Sequence, residues 1–129
     1  MQRGDIRDWE DALGSRCNWG WLRGCWGATN ISPADIDFWV QRGRYHLIGE
    51  IKRRREDITQ GQTILLSALD RWSTTTVFFL IGDIEDHEIW PTELMVLPGR
   101  LWRPCDRASF YKFCSGWYSH VERINVLAR

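Results

Sequence analysis

Residues 37–52 read DFWVQRGRYHLIGEIK, and the way this run folds decides the rest of the chain. Gly43-Arg44 lies at its centre. Glycine at the first central position suits a two-residue type II′ loop, where that residue must take a positive φ. The two arms then form a β-hairpin in which directly opposed residue numbers sum to 87, as Gly43 and Arg44 do. Asp37 opposes Glu50, and Asp35 opposes Lys52. Strand side chains alternate between faces. One face therefore holds Asp35, Asp37, Trp39, Ile48, Glu50 and Lys52, and the other holds Ile36, Phe38, Val40, Tyr45, Leu47 and Ile51, the expected core face. A slip of one residue would separate the two acids and spoil the apolar face. Directly opposed like charges are destabilising unless a cation lies between them, so the hairpin points to a divalent metal and to phosphodiester chemistry. A surface salt-bridge cluster would explain the charges but not an acid set opposite an acid.

The chain has 129 residues and 43% hydrophobic content, enough for one domain spanning 1–129 with a buried core. No run approaches the length of a membrane span, and the N-terminal MQRGDIRDWE is not a signal peptide. A cytoplasmic protein with no membrane partner is expected. Seventeen basic and seventeen acidic residues cancel, which on its face argues against a nucleic-acid binder. The distribution says more than the sum. Arg42, Arg44, Lys52, Arg53, Arg54 and Arg55 gather at the hairpin turn and exit, and Arg100, Arg103, Arg107 and Lys112 form a second basic stretch. Beside a metal site, such residues supply sequence-independent affinity for phosphates. Cys17, Cys25, Cys105 and Cys114 form no C-x-x-C pair, so reduced, buried thiols are preferred over zinc ligands. Trp19, Trp21 and Trp26 are read as core or interface aromatics, with base stacking as the rival role.

Outside the hairpin, Asp5–Leu13 suits a first helix ending at Gly14, and residues 15–32 suit an irregular segment or a weak first strand. Thr59 is a suitable cap for a helix running to about Trp72, with Leu65, Ala68, Leu69 and Trp72 as its apolar stripe. The run Thr75–Ile81 is β-branched and aromatic, as in a buried strand. A polar acidic turn and then a strand at Glu93–Leu97 follow, broken by Pro98-Gly99. Asp106 can cap a last helix with Phe110, Phe113, Trp117, Val121 and Ile124 on one face. A hairpin followed by a helical crossover to another strand describes an α/β core with a mixed sheet.

The run IDFWVQRGRYHLIGEIK resembles the central motif of the PD-(D/E)xK nuclease superfamily. The acid spacing and glycine turn are similar to RecB-type domains. EDITQGQTILLSALDRW is similar to VRR-type domains and Holliday-junction resolvases, in which a Gln opens the helix after the Lys. The resemblance covers Pro33 to Trp72. It implies a restriction-endonuclease-like core, αβββαβ, with helices flanking the sheet. It further implies that Asp37 and Glu50, with the Ile51 carbonyl, ligate Mg²⁺ or Mn²⁺ through hard oxygen atoms, that Lys52 orients or deprotonates a metal-polarised water, and that Gln62 positions the water or a phosphate. Glu10 matches an acid that some members contribute from the first helix; Asp8 and Asp11 compete for that place, Asp35 competes with Asp37, and Gln60 with Gln62. Arg42, Arg44, Arg53, Arg54 and Arg55 would bind the nucleic acid. The expectation is a Mg²⁺-dependent DNA endonuclease for junctions, flaps or other structured DNA, of a size suited to a phage protein and to a homodimer. The alternative is a catalytically inactive nuclease-fold module that binds nucleic acid or protein.

Overall fold

In a computed structural model of the protein, residues 20–22, 24–28 and 36–127 are described. The chain separates into two compact units, Met1–Asp35 and Ile36–Arg129. In the first, Gly20–Leu22 forms a 3₁₀ turn, extended by a Cys25 N–H donated to Leu22 O at 2.9 Å. The expected first helix, with Glu10, Asp8 and Asp11, lies outside the described residues, as do Asp35, Cys17 and Trp19.

The second unit is α/β. A five-stranded mixed sheet is formed by β1 (Phe38–Arg42), β2 (Tyr45–Lys52), β3 (Thr75–Glu85), β4 (Glu88–Val96) and the short β5 (Arg103–Pro104), ordered β1-β2-β3-β4-β5. Two helices accompany it, α1 (Gln60–Asp70) and α2 (Arg107–Leu127). The β1–β2 hairpin has the expected register, with Phe38 opposite Gly49 and Trp39 opposite Ile48. Gly43 has φ 61° and Arg44 does not share the positive sign, the pattern of a type II′ turn. β2 and β3 are parallel, joined by α1, while β3–β4 and β4–β5 are antiparallel.

Both faces of the sheet are covered, as a parallel pair with a helical crossover requires. On the α1 side Ile48, Val77, Phe79, Met95 and Leu97 pack with Leu66 and Leu69. On the α2 side Leu47, Phe78, Leu80 and Cys105 pack with Phe38, Phe110, Phe113 and Trp117. The face carrying Ile48 and Glu50 is therefore as much a core face as its reverse, which corrects the one-sided reading of the hairpin. Ile36 also packs on the α1 side, because it precedes β1 and the strand alternation does not extend to it. Val40 is exposed. Burying a large apolar side chain completely contributes about 1.5–3 kcal/mol, and eight side chains here, among them Phe78, Phe79 and Leu66, are essentially inaccessible.

The inward stripe of α1 differs from the expected one. Ala68 is exposed, as is Trp72 beyond the helix end, whereas Leu66 is fully buried. Residues 62, 65, 66 and 69 follow the i, i+3, i+4, i+7 spacing of one helix face, so Gln62 stands at the head of the inward stripe. The stripe of α2 is as expected at Phe110, Phe113, Trp117 and Val121, and Asp106 caps that helix by accepting from Ser109 N–H at 2.8 Å. The acidic segment after Ile81 is strand rather than turn as far as Glu85; the reversal is made by Asp86 and His87, with φ 51° and 66°. These two signs match a type I′ hairpin turn. β4 correspondingly starts at Glu88, five residues earlier than the expected Glu93. No described helix is long and apolar enough to cross a membrane.

Gly49 has no room for a side chain. A methyl group there would overlap the ring of Phe78. That ring cannot step aside, because it lies edge-on to Phe38, Phe110 and Phe113 at centroid distances of 5.2, 5.4 and 5.6 Å. Overpacking of this type costs about 1–3 kcal/mol. Gly49→Ala is expected to lower the thermal midpoint by several degrees in a calorimetric scan; an unchanged midpoint would show that the aromatic cluster can rearrange.

Candidate active site

Four of the residues singled out in the sequence converge where β1 begins, β2 ends and α1 starts. Asp37 lies at the bend just before β1, and its Oδ2 accepts the Ile51 N–H at 3.0 Å. Glu50, on the adjacent strand, is only 3% exposed. Its nearest lateral neighbour on β3 is Phe79, a core residue, so its carboxyl is taken out of water. Gln62 Nε2 reaches Glu50 Oε2 at 3.3 Å. Lys52 is half-buried two residues along the same strand and on the same face.

Gln62 is held by the helix start itself. Thr59, in extended backbone at the N-cap, accepts from Gln62 N–H at 3.1 Å, and Gln62 Oε1 accepts from Thr59 N–H at 3.0 Å, which closes a capping box. Such reciprocal bonds satisfy two of the orphan N–H groups of a helix terminus. The amide oxygen serves the cap and the amide nitrogen serves Glu50. Gln60 is exposed, so it is Gln62 that meets the carboxylate.

The electrostatics follow from this packing. Burial raises the Glu50 carboxyl, a hydrogen bond with the Asp37 carboxyl and repulsion from that group raise it further, and the Lys52 ammonium pulls it back; the balance leaves it at about 8. A buried Glu50 carboxyl raised in this way beside a second carboxyl marks a place where a cation would remove the conflict. The donor set is made of hard oxygens, the ligands that Mg²⁺ and Mn²⁺ prefer. The residues present thus fit such an ion, with Asp37 and Glu50 as its holders. Among the described residues there is no group of three or more His, Cys, Asp or Glu side chains placed to hold a metal.

The basic residues divide into two sets. Arg42 pairs with Glu122 at 2.5 Å and lies over the Tyr118 ring. Arg55 forms a two-pronged pair with Glu93 and stacks 5.0 Å from the Trp102 ring centre, and its guanidinium holds the Glu93 carboxyl below the usual range. Arg54 pairs with Asp57 at 3.2 Å. Each of these three guanidinium groups thus has an acidic partner within the fold, although all three stay solvent-exposed. Arg44 and Arg53 are exposed and have no ion-pair partner among the described residues. In the second basic stretch, Arg107 sits 3.6 Å from the Trp90 ring centre and donates to Ile89 O.

Trp39, on the Glu50 face by the strand alternation, is not buried there. It is 51% exposed and donates its Nε1–H to His46 Nδ1 at 2.9 Å. The sequence assigns His46 no role; only the register, which sets Gln41 against His46 and Trp39 two residues from Gln41, could pair it with Trp39.

No protein-family model, curated protein or solved structure matches the chain.

Proposed function

We propose that this chain is a divalent-metal-dependent nuclease that hydrolyses DNA phosphodiester bonds, an endonuclease built on a restriction-endonuclease-like core. The observation that supports this reading is the Asp37 carboxyl set against a buried, proton-retaining Glu50, beside a hairpin whose register runs Phe38 to Gly49. Opposed carboxylates are a liability to a fold that has no use for them, and here Gln62 and Lys52 converge on the same pair.

Asp37 and Glu50 would hold Mg²⁺ or Mn²⁺, with the Ile51 carbonyl beside them. Such an ion supplies an acidified water and offsets negative charge on the phosphoryl oxygens. The residues of the chain do the rest. Lys52, on the Glu50 face, orients the attacking water, takes its proton when neutral, or as the ammonium stabilises charge that builds on the phosphorus oxygens. Gln62 fixes the Glu50 carboxylate and, from the first turn of α1, faces the region where backbone N–H groups favour an anion. Arg44 and Arg53 are exposed cations near the site that can meet the DNA backbone.

The test is direct. The full chain is incubated with supercoiled plasmid and with branched and flap duplexes, in Mg²⁺ or Mn²⁺ and then in EDTA. Metal-dependent cleavage is the expected result. Binding of DNA without cleavage in any metal would favour the alternative, an inactive nuclease-fold module, and indifference to all substrates would remove the nucleic-acid reading altogether.

A further inference from the structure

We infer that Trp39 is a stacking platform for an unpaired nucleobase next to the carboxylate site, which makes the substrate a DNA strand with a single-stranded or extruded base within about two nucleotides of the scissile phosphate. This inference rests on the nuclease reading and deepens it.

Trp39 opposes Ile48 on β2, and Ile48 and Glu50 share the α1 side of the sheet. Asp37 and Trp39 are two residues apart. Two residues of extended chain span about 7 Å, against about 3.4 Å per nucleotide along one DNA strand. An indole there lies one to two nucleotide steps from the acids. The side chain belongs to neither apolar cluster and contributes little to the core, since half of it faces solvent. Yet it is fixed. Its single polar atom donates to His46 Nδ1 at 2.9 Å, and the two rings meet edge to face at 5.7 Å and 78°. What it offers outward is therefore an oriented aromatic surface with its hydrogen-bonding already satisfied. Such a surface stacks a base at a low ordering cost, and it does so without regard to sequence. Bases inside a duplex present no free face, so the platform selects unpaired ones. Arg44, exposed at the turn beyond Trp39, continues the track for the phosphates.

The experiment uses the full chain in EDTA, so that binding is read without cleavage, and a flap duplex carrying 2-aminopurine at the unpaired position nearest the junction. A second duplex has an abasic site there. Stacking should quench 2-aminopurine fluorescence. Base–aromatic stacking of about 1–3 kcal/mol corresponds to roughly 5- to 150-fold, so Trp39→Leu should weaken binding of the base-containing duplex by that factor and the abasic duplex less than twofold. Trp39→Phe, which keeps a ring, should retain most of the quenching and serves as a check on folding. If Trp39→Leu weakens both duplexes equally, or neither, while metal-dependent cleavage persists, the platform is overturned and the nuclease reading stands. If the unaltered protein neither binds nor cuts DNA, both fall.

Discussion

Glu50→Ala is expected to reduce metal-dependent DNA cleavage by about a thousandfold or more, with Asp37→Asn giving a loss of similar size. A bound cation contributes several kcal/mol to stabilising the transition state of phosphoryl transfer, and about 1.4 kcal/mol corresponds to each factor of ten in rate. Neither carboxylate can replace the other. Asp37 sits at the bend before β1 with Oδ2 engaged by Ile51 N–H, and Glu50 is buried against Phe79 with Gln62 upon it. The informative companion is Glu50→Gln, which keeps the shape and removes the charge. It should be as inactive as Glu50→Ala yet melt no lower than the unaltered protein at pH 8.5 without metal, because the buried charge is then gone. Loss of activity that tracks loss of folded protein would instead make Glu50 a structural residue. Full activity in either variant would remove it from the site.

The metal-free protein is expected to lose stability as pH rises, and divalent cations are expected to restore it. The sign follows from proton counting. Glu50 titrates at about 8 in the folded protein against 4.5 when unperturbed. Between those values the folded chain retains a proton that the unfolded chain has released, so stability falls with rising pH throughout the window. Raising the titration midpoint of one carboxyl by a single pH unit corresponds to about 1.4 kcal/mol. Over that window a loss on the order of 2–4 kcal/mol is expected, or roughly 5–15 °C in the melting midpoint for a chain of this size. Scans in EDTA at pH 5.5 and 8.5 measure it, and Glu50→Gln should flatten the slope. Mg²⁺ or Mn²⁺ must displace the proton to bind, so millimolar cation should raise the midpoint more at pH 8.5 than at pH 6. A midpoint that is flat in EDTA and indifferent to cation would mean that the two carboxylates do not form a cation site.

The hairpin is legible in the sequence because its turn is local, with a glycine at the position that takes φ 61°. Thr59 is legible as a cap because capping is local in sequence. What escapes depends on partners distant in the chain. A charge count over Arg53, Arg54 and Arg55 cannot show that Arg55 is bound to Glu93, or that Arg42 meets Glu122 eighty residues away. The turn in the acidic segment is misplaced by composition because Asp83 and Glu85 lie where β3 and β4 run past the core, and strand pairing there does not need buried side chains. The α1 stripe is misjudged because Trp72 has the character of a core residue, whereas the inward face begins at Gln62. That rotation is what brings Gln62 to the carboxylate, so the least legible part of the helix is the part that concerns the site.

Gln62 also has a consequence for how the chain can change over time. One amide closes the cap with its oxygen and holds Glu50 with its nitrogen. A glutamate there would preserve the capping box but set a third carboxyl group on the acid pair, and an alanine would forfeit both roles. The helix start and the carboxylate site therefore cannot drift apart by single substitutions. A lineage in which the carboxylate pair was lost would keep a reason to retain Thr59 and a capping residue at position 62, but would be released from glutamine itself.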